Sequence, residues 1–394
     1  MTASGSFGTG PTEVPQDDGP ADPSEADRKD SHEMTTSPDS EYMEWAKLHS
    51  GARFNLASSG VAGFPLAELG ARIEDLEINT DGAYGYPPLL GRLARKAGVD
   101  ADRVVHATGT SMANFLVMAA AAGPGDEVLI EEPTYSLLVD AARWLRLDVR
   151  RFPRRADEGF RLDPRAVEKA TTPRTRLVVL TNLHNPSSAF TPPEDLRAVG
   201  EAARGKGARV LVDEVYLEAL KVLGRPWGSA AHLGPEFVVT SSLTKAYGLS
   251  GLRCGWAIAD ADLARRMWRL NDLFGVNAAH PAERLSVLAL DRLPRIAARA
   301  REILETNADG ANAFLAARPD LACSPVDGGM IAFPRLLRGD VDSLCQRLRE
   351  RHETTVVPGR FFGAAGHFRL ALGCLPETLQ GGLERLARAL DEAD

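Results

Sequence analysis

The sequence predicts an α/β protein: a large domain with a mostly parallel central sheet, followed by a smaller α+β domain. Three observations predict it. From about residue 100, short β-branched runs alternate with helical stretches. Those runs are apolar throughout, as expected of strands buried on both faces. After about residue 275 the alternation gives way to long helical stretches with two short strands.

The elements follow in order. Residues 1–40 are rich in Gly, Pro, Ser, Thr and Asp and nearly free of large apolar side chains. Such a stretch buries too little to offset its ordering entropy, so a disordered acidic tail is expected. Met34 and Met43 are candidate alternative starts. Order begins near Tyr42, and residues 41–75 are expected to join the smaller domain. The large domain, 76–275, opens with a strand at Arg103–Ala107 and a helix at Ser111–Ala122. A strand at Glu127–Glu131 and a helix at Ser136–Trp144 come next. Further strands are expected at Arg176–Thr181, Ala208–Val212 and Phe237–Ser241. Helical patterns cover Ala261–Leu273, Pro281–Leu315 and Val341–His352. The small domain, 276–394, adds strands near Met330–Pro334 and His367–Leu372. No internal repeat is visible.

Composition excludes several classes of function. The chain has 394 residues, 44% of them hydrophobic, enough for a large core. Its net charge is −8, but nine acids against Arg28 and Lys29 put −7 of this in the first 40 residues. The remaining body is close to neutral and offers no basic nucleic-acid surface. No window approaches the roughly 18 apolar residues of a membrane span, and no leader of basic then apolar residues opens the chain. Four scattered cysteines without a CxxC pair predict reduced thiols in a cytoplasmic protein and no metal site.

The chemistry lies at strand ends, where open α/β sheets gather ligands. After the first strand come Thr108, Gly109, Thr110 and Ser111, entering a helix. After the second come Glu132, Pro133, Thr134 and Tyr135. The third leads to Asn182-Leu183-His184-Asn185-Pro186, the fourth to Asp213-Glu214-Val215-Tyr216. The fifth leads to Ser242-Leu243-Thr244-Lys245, with Arg253 eight residues on. Singly these have ordinary readings: an Asp after a strand caps a helix, a Lys in a Ser-rich loop is solvated, and His184 packs a loop. Jointly they fit pyridoxal 5′-phosphate. Asp213 would keep the ring nitrogen protonated. Tyr216 and Asn185 would hold the ring oxygen. Lys245 would attach the aldehyde and carry the proton. Thr110, Ser111, Ser242 and Arg253 would hold the phosphate, and Tyr135 would cover the ring.

Asn185-Pro186, then DEVY, then SLTKAYGLSGLRCGW resembles the class I/II aminotransferases of PLP fold type I, from about Tyr42 to the C-terminus. The resemblance implies Lys245 as the catalytic, cofactor-bearing lysine. It implies Asp213, Tyr216 and Asn185 at the ring, and Ser242 and Arg253 at the phosphate. The strand HFRLALG resembles the one whose arginine grips the substrate carboxylate, which implies Arg369. The family's shared active site implies a homodimer, with a tyrosine reaching the partner's phosphate. That tyrosine is Tyr84 or Tyr86: Tyr86 keeps the family's Tyr-x-x-x-x-Gly spacing to Gly91, whereas Tyr84 places Leu93 at an apolar helix position. The family's Asn-Pro-x-Gly has Ser188 in place of glycine, so an altered turn is expected. ASSGV, GGMIAFPR and VVPGRFFG are similar to pieces of capreomycidine-synthase-like enzymes, and also of ordinary actinobacterial aminotransferases. Arg360, in the last piece, is either a pocket residue or a loop cation.

The expected function is therefore amino-group transfer between an α-amino acid and a 2-oxo acid, in amino-acid metabolism or a biosynthetic pathway. The alternative is a PLP-dependent lyase or cyclase acting on an amino acid. A non-catalytic binding module is disfavoured by the intact Lys245.

Overall fold

A computed structural model describes residues 39–49, 51–80 and 82–392 of the chain. The expectation of a disordered tail over residues 1–40 lies outside the described residues, except for Asp39 and Ser40. Ser40 caps the helix Glu41–Leu48, its Oγ accepting from the Met43 amide at 3.4 Å.

Seven strands form the central sheet: β1 (Val104–Thr108), β2 (Glu127–Glu132), β3 (Asp148–Pro153), β4 (Thr175–Thr181), β5 (Arg209–Asp213), β6 (Phe237–Ser242) and β7 (Cys254–Ile258). Their spatial order is β1-β7-β6-β5-β4-β2-β3. Strand β7 is antiparallel to both its neighbours; the other pairs are parallel. The apolar strands are covered on both sides. Leu177, Val179, Leu211 and Val238 pack with Met118 and Leu116 of the helix Gly109–Ala121. Val178, Val210, Val212 and Val239 pack with Leu196, Val199 and Ile303 on the other face.

The C-terminal part surrounds a three-stranded antiparallel sheet of Ile331–Ala332, Phe368–Ala371 and Val357–Pro358, with Phe368–Ala371 central. The helices Leu293–Ala316, Val341–His352 and Pro376–Asp391 cover it, and Leu56 joins their core. Phe54–Asn55 pairs in parallel with Thr354–Thr355, which carries the N-terminal segment into this region.

One helix and two strands differ from the sequence expectation. The helical pattern over Pro281–Leu315 is two helices, His280–Asp291 and Leu293–Ala316. Pro294 has no amide hydrogen to donate, so it starts the second helix and cannot continue the first. Strands β3 and β7 were not expected from the sequence: β3 (DVRRFP) has no strong apolar run, and β7 lies within the SLTKAYGLSGLRCGW stretch. Among the described residues, no helix is long and apolar enough to cross a membrane.

Candidate active site

The carboxyl ends of β4, β5 and β6 and the start of the helix after β1 enclose a cavity of about 160 Å³. Thr110, Ser111, Tyr135, Asn185, Asp213, Tyr216, Ser242, Lys245 and Arg253 all line it.

Asp213 ends β5 on the face covered by the helix Gly109–Ala121. Asn114 of that helix donates to its Oδ2 at 2.8 Å, and the Val215 amide donates to Oδ1 at 3.0 Å. Asn114 is itself oriented by Thr240, whose hydroxyl donates to its Oδ1 at 2.5 Å. Burial pushes the Asp213 carboxyl up to about 6, partly countered by Asn114, Val215 and the charge of Lys245. Burial, with Arg369 and Arg253, lowers Lys245 to about 8 against the pull of Asp213. Such a lysine has a far larger neutral fraction near physiological pH than an ordinary one, which favours a proton carrier. Burial raises Tyr216.

The helix Gly109–Ala121 aims its N-terminus at the cavity, where backbone N–H groups and the helix dipole favour an anion. Thr110 and Thr244 contribute buried hydroxyls with no partner among the described residues. Ser242 accepts from the Thr244 amide at 3.2 Å. Arg253 is held at φ 50° with its Nη2 donating to Thr108 O at 3.3 Å. The close approach depends on Gly255: a Cβ there would collide with the backbone of Gly109, itself at φ 78°. This donor set fits a phosphate, and the buried Asp213 carboxyl fits a protonated ring nitrogen. The residues present therefore fit pyridoxal phosphate.

The Asn185 turn rests on a buried ion pair. Arg154 and Glu131, both fully buried, meet at 2.9 Å. Glu131 accepts from the Thr181 hydroxyl at 2.6 Å, and that hydroxyl accepts from the Asn185 amide at 2.9 Å. Ser188 takes φ 64°, which glycine would adopt more readily, and its Oγ donates to Ile331 O at 2.8 Å. The residue standing in place of the glycine is therefore left-handed. His184 contacts Ser187 Oγ and Pro133 O at 2.6 and 2.9 Å, and burial holds it well below 6.5. It packs the loop.

Arg369, fully buried in the central strand of the small sheet, reaches the other side of Asn185. Its Nη1 donates to Asn185 Oδ1 at 3.1 Å, and its Nη2 to Tyr42 Oη at 2.8 Å and Ala57 O at 3.3 Å. All three acceptors are neutral, and its Nε has no partner among the described residues.

The remaining predicted residues lie elsewhere. Tyr84 is 56% exposed, its hydroxyl donating to Asp272 at 2.9 Å. Tyr86 sets its ring edge on His280 at 4.8 Å and caps the helix Pro87–Ala97. Arg360 pairs with Asp342 and with Glu41 at 3.7 Å and lies over Phe361, so it is a loop cation. A larger open cleft of about 790 Å³, lined by Phe160, Ser187, Ser188 and Arg335, contains none of the predicted cofactor residues.

Sequence reasoning missed Ser59, whose Oγ accepts from Lys245 Nζ at 2.7 Å, as well as Asn114, Tyr42 and Met43. Asn114 left a signal: it is the one amide in an apolar helix, one turn beyond Thr110. Tyr42 left no local signal of function, and Ser59 lies within ASSGV, a piece whose resemblance gives it no role.

The aminotransferase class I and II family model matches residues 68–386. A capreomycidine synthase of Streptomyces vinaceus is 30% identical over 358 residues, 86% of this chain and 90% of that protein. An arginine–pyruvate transaminase of Pseudomonas aeruginosa is 30% identical over 373 residues, 89% and 93% of the two chains. The crystal structure of a PLP-dependent aminotransferase from Streptococcus suis superposes with a TM-score of 0.84 at 26% identity, covering 91% of this chain and 99% of that one. Similarity of this extent, around a cavity fitted to the cofactor, shows that the chain belongs to the class I and II aminotransferases, a pyridoxal-phosphate-dependent enzyme of PLP fold type I.

Proposed function

We propose that the enzyme transfers the amino group of an α-amino acid to a 2-oxo acid. The observation that carries this reading is Arg369. A fully buried guanidinium bonded only to neutral oxygens is costly unless a charged partner arrives. An α-carboxylate matches its fork of donors and offsets that cost.

Pyridoxal phosphate, when bound, supplies an electron-accepting ring that stabilises negative charge at the substrate Cα. Asp213 would hold the ring nitrogen protonated, with Asn114 fixing the carboxylate. Asn185 and Tyr216 would bond the ring oxygen, and Tyr135 would cover the ring. Thr110, Ser111, Ser242 and Arg253 would bind the phosphate. Lys245 would carry the cofactor covalently. Once freed, its neutral Nζ would take the proton from the substrate Cα and later release it. Arg369 orients the substrate so that the Cα–H faces that amine.

A second reading is a lyase or cyclase acting on an amino acid, favoured by the 30% identity to a capreomycidine synthase. It shares proton removal at Cα and then expels or adds a group further along the side chain.

The active species in this reading is a cytoplasmic homodimer with a shared site. Exposed Ile73, Ile78, Leu273 and Phe274 support an interface. Tyr84, exposed on the same segment as Ile73 and Ile78, is the residue proposed to reach the partner's phosphate site, since Tyr86 is packed within its own chain. Four free cysteines are compatible with a reducing compartment. The proposed domains are 76–275 (large) and 276–394 (small), with 41–75 joining the latter, as the pairing of Phe54–Asn55 with Thr354–Thr355 supports.

The test is to mix purified enzyme with single amino acids and follow both the cofactor spectrum and the product. Conversion of the cofactor to its amine form, with release of a 2-oxo acid, is the expected outcome. A cyclic or eliminated product with the cofactor unchanged would select the second reading.

A further inference from the structure

The segment Ala57–Val61 runs between the two groups on which the proposed reaction depends. The Val61 amide donates to the carbonyl of Lys245 itself at 2.8 Å, and the Ala62 amide donates to Gly373 O at 2.7 Å, just beyond the Arg369 strand. The carbonyl of Ala57 accepts from Arg369 Nη2 at 3.3 Å. At its far end, the Asn55 side chain accepts from the Ala57 amide at 2.9 Å and closes a turn. Space is tight where it passes: a Cβ on Gly373 would collide with the backbone of Gly60 and Val61. The segment is thus tied by its backbone to the loop of Lys245 and the strand of Arg369, and of the two side chains between those ties, Ser58 and Ser59, it is Ser59 that meets Lys245.

We propose that Ser59 is a positioning residue for Lys245, holding the freed amine against the substrate Cα at a fixed distance from the carboxylate bound by Arg369. The geometry is direct. Lys245 Nζ donates to Ser59 Oγ at 2.7 Å, and both side chains line the cavity together with Tyr216. With one N–H fixed on Ser59, rotation of the flexible lysine stem is restricted. The Nζ lone pair is left for the Cα proton. Without this anchor a four-carbon stem with staggered rotamers at every bond would sample many placements of the amine. Reaction geometry tolerates little such wandering. The inference rests on Lys245 being the proton carrier proposed above.

The titration of Lys245 supplies a readout that plain packing by Ser59 would not move. The charged groups acting on its amine are Arg369, Asp213 and Arg253, and all remain in a Ser59→Ala variant. The serine oxygen accepts from the charged ammonium, so its removal disfavours that form and lowers the midpoint. The cofactor-free full-length chain is labelled with trace acetic anhydride across a pH series, and Lys245 is read by peptide mass spectrometry. In Ser59→Ala the midpoint should fall by about half a unit or more. In the holoenzyme kcat should fall about five- to tenfold, while KM for the amino acid changes less than about twofold. Ser59→Thr, which keeps the hydroxyl, should restore both. If Ser59→Ala fails to fold, as judged by bound cofactor, Ser59→Gly repeats the measurement without the hydroxyl. An unmoved midpoint, with borohydride attaching the cofactor to Lys245 in the native chain, overturns this proposal alone. Attachment to another lysine overturns the role of Lys245, and this proposal with it.

Discussion

The proposed cofactor side of the cavity and its proposed substrate side are built by different routes. On the cofactor side, Thr110, Asn185, Asp213 and Ser242 each stand at or just past the end of a strand of one sheet. Each is placed by its own strand, and the sheet spaces the strands. On the substrate side, Arg369 meets Tyr42 and Ala57 across 327 and 312 residues of sequence. No single element places that group. The lesson is that a binding group made from strand ends can be read locally, whereas one made by docking distant segments shows only the member with a distinctive side chain.

The largest effect should come from the cofactor side. Lys245→Ala removes the only amine proposed to bind the cofactor covalently. Borohydride should then no longer attach pyridoxal phosphate to the chain, and turnover should fall by roughly four orders of magnitude or more. A variant still labelled at another lysine would move the centre of that side elsewhere.

Asp213→Ala should come next. A paired charge in such a site is worth about 2–5 kcal/mol, so kcat should drop roughly thirty- to several-thousand-fold. The phosphate cradle is untouched, so cofactor stoichiometry should change far less. The pKa of about 6 keeps Asp213 largely ionised at neutral pH. A protonated ring nitrogen would lower it further. Near-normal turnover in the variant would show that another group holds the ring.

Arg369→Lys probes the substrate side. Lysine keeps the charge and loses the fork. Loss of a charged hydrogen bond costs about 1.5–3 kcal/mol, so KM should rise roughly ten- to a hundredfold for both the amino acid and the 2-oxo acid. Cofactor binding should be unaffected. If simple amines react as well as amino acids and ignore this change, the carboxylate reading of Arg369 fails.

The same division explains what the sequence disclosed. Strand β5 announces itself as ARVLV and hands over to Asp213 within one residue. Asn185 and Lys245 follow their strands by a few residues, and Arg253 is read from its spacing to Lys245. The break at Arg292 was hidden because a proline in the first turn of a helix also fits a continuous apolar pattern. Tyr42 lies in a short helix with nothing to distinguish it from a core aromatic, and Ser59 in ASSGV, whose resemblance assigns it no role. The role proposed for Tyr42 depends on the Arg369 strand arriving beside it, and that for Ser59 on the loop of Lys245, tertiary events that local pattern does not encode. Arg369 was legible only through resemblance.

The smallest expected effect concerns a point where the two sides bear on each other. Ser188, in the Asn185 turn, pays for a left-handed φ of 64° but gains the bond to Ile331 O. Replacing it by glycine relieves the strain, forfeits a hydrogen bond of about 0.5–1.5 kcal/mol and loosens the unfolded chain. These contributions oppose each other, so Ser188→Gly should shift stability by less than about 1 kcal/mol. Its partner is Gly329, where an added Cβ would run into the Ser188 side chain and press on Val326 Cγ1 at 3.2 Å. Gly329→Ala alone should therefore cost about 1–3 kcal/mol by overpacking. In the double variant the Ser188 clash is gone and only the Val326 contact remains tight, so most of that loss should be recovered. Denaturant unfolding of the four proteins gives the coupling energy directly, expected at about 1 kcal/mol or more. Additive effects would mean that the turn and the Gly329 segment do not press on each other, and that Ser188 keeps its conformation for a reason internal to the Asn185 turn.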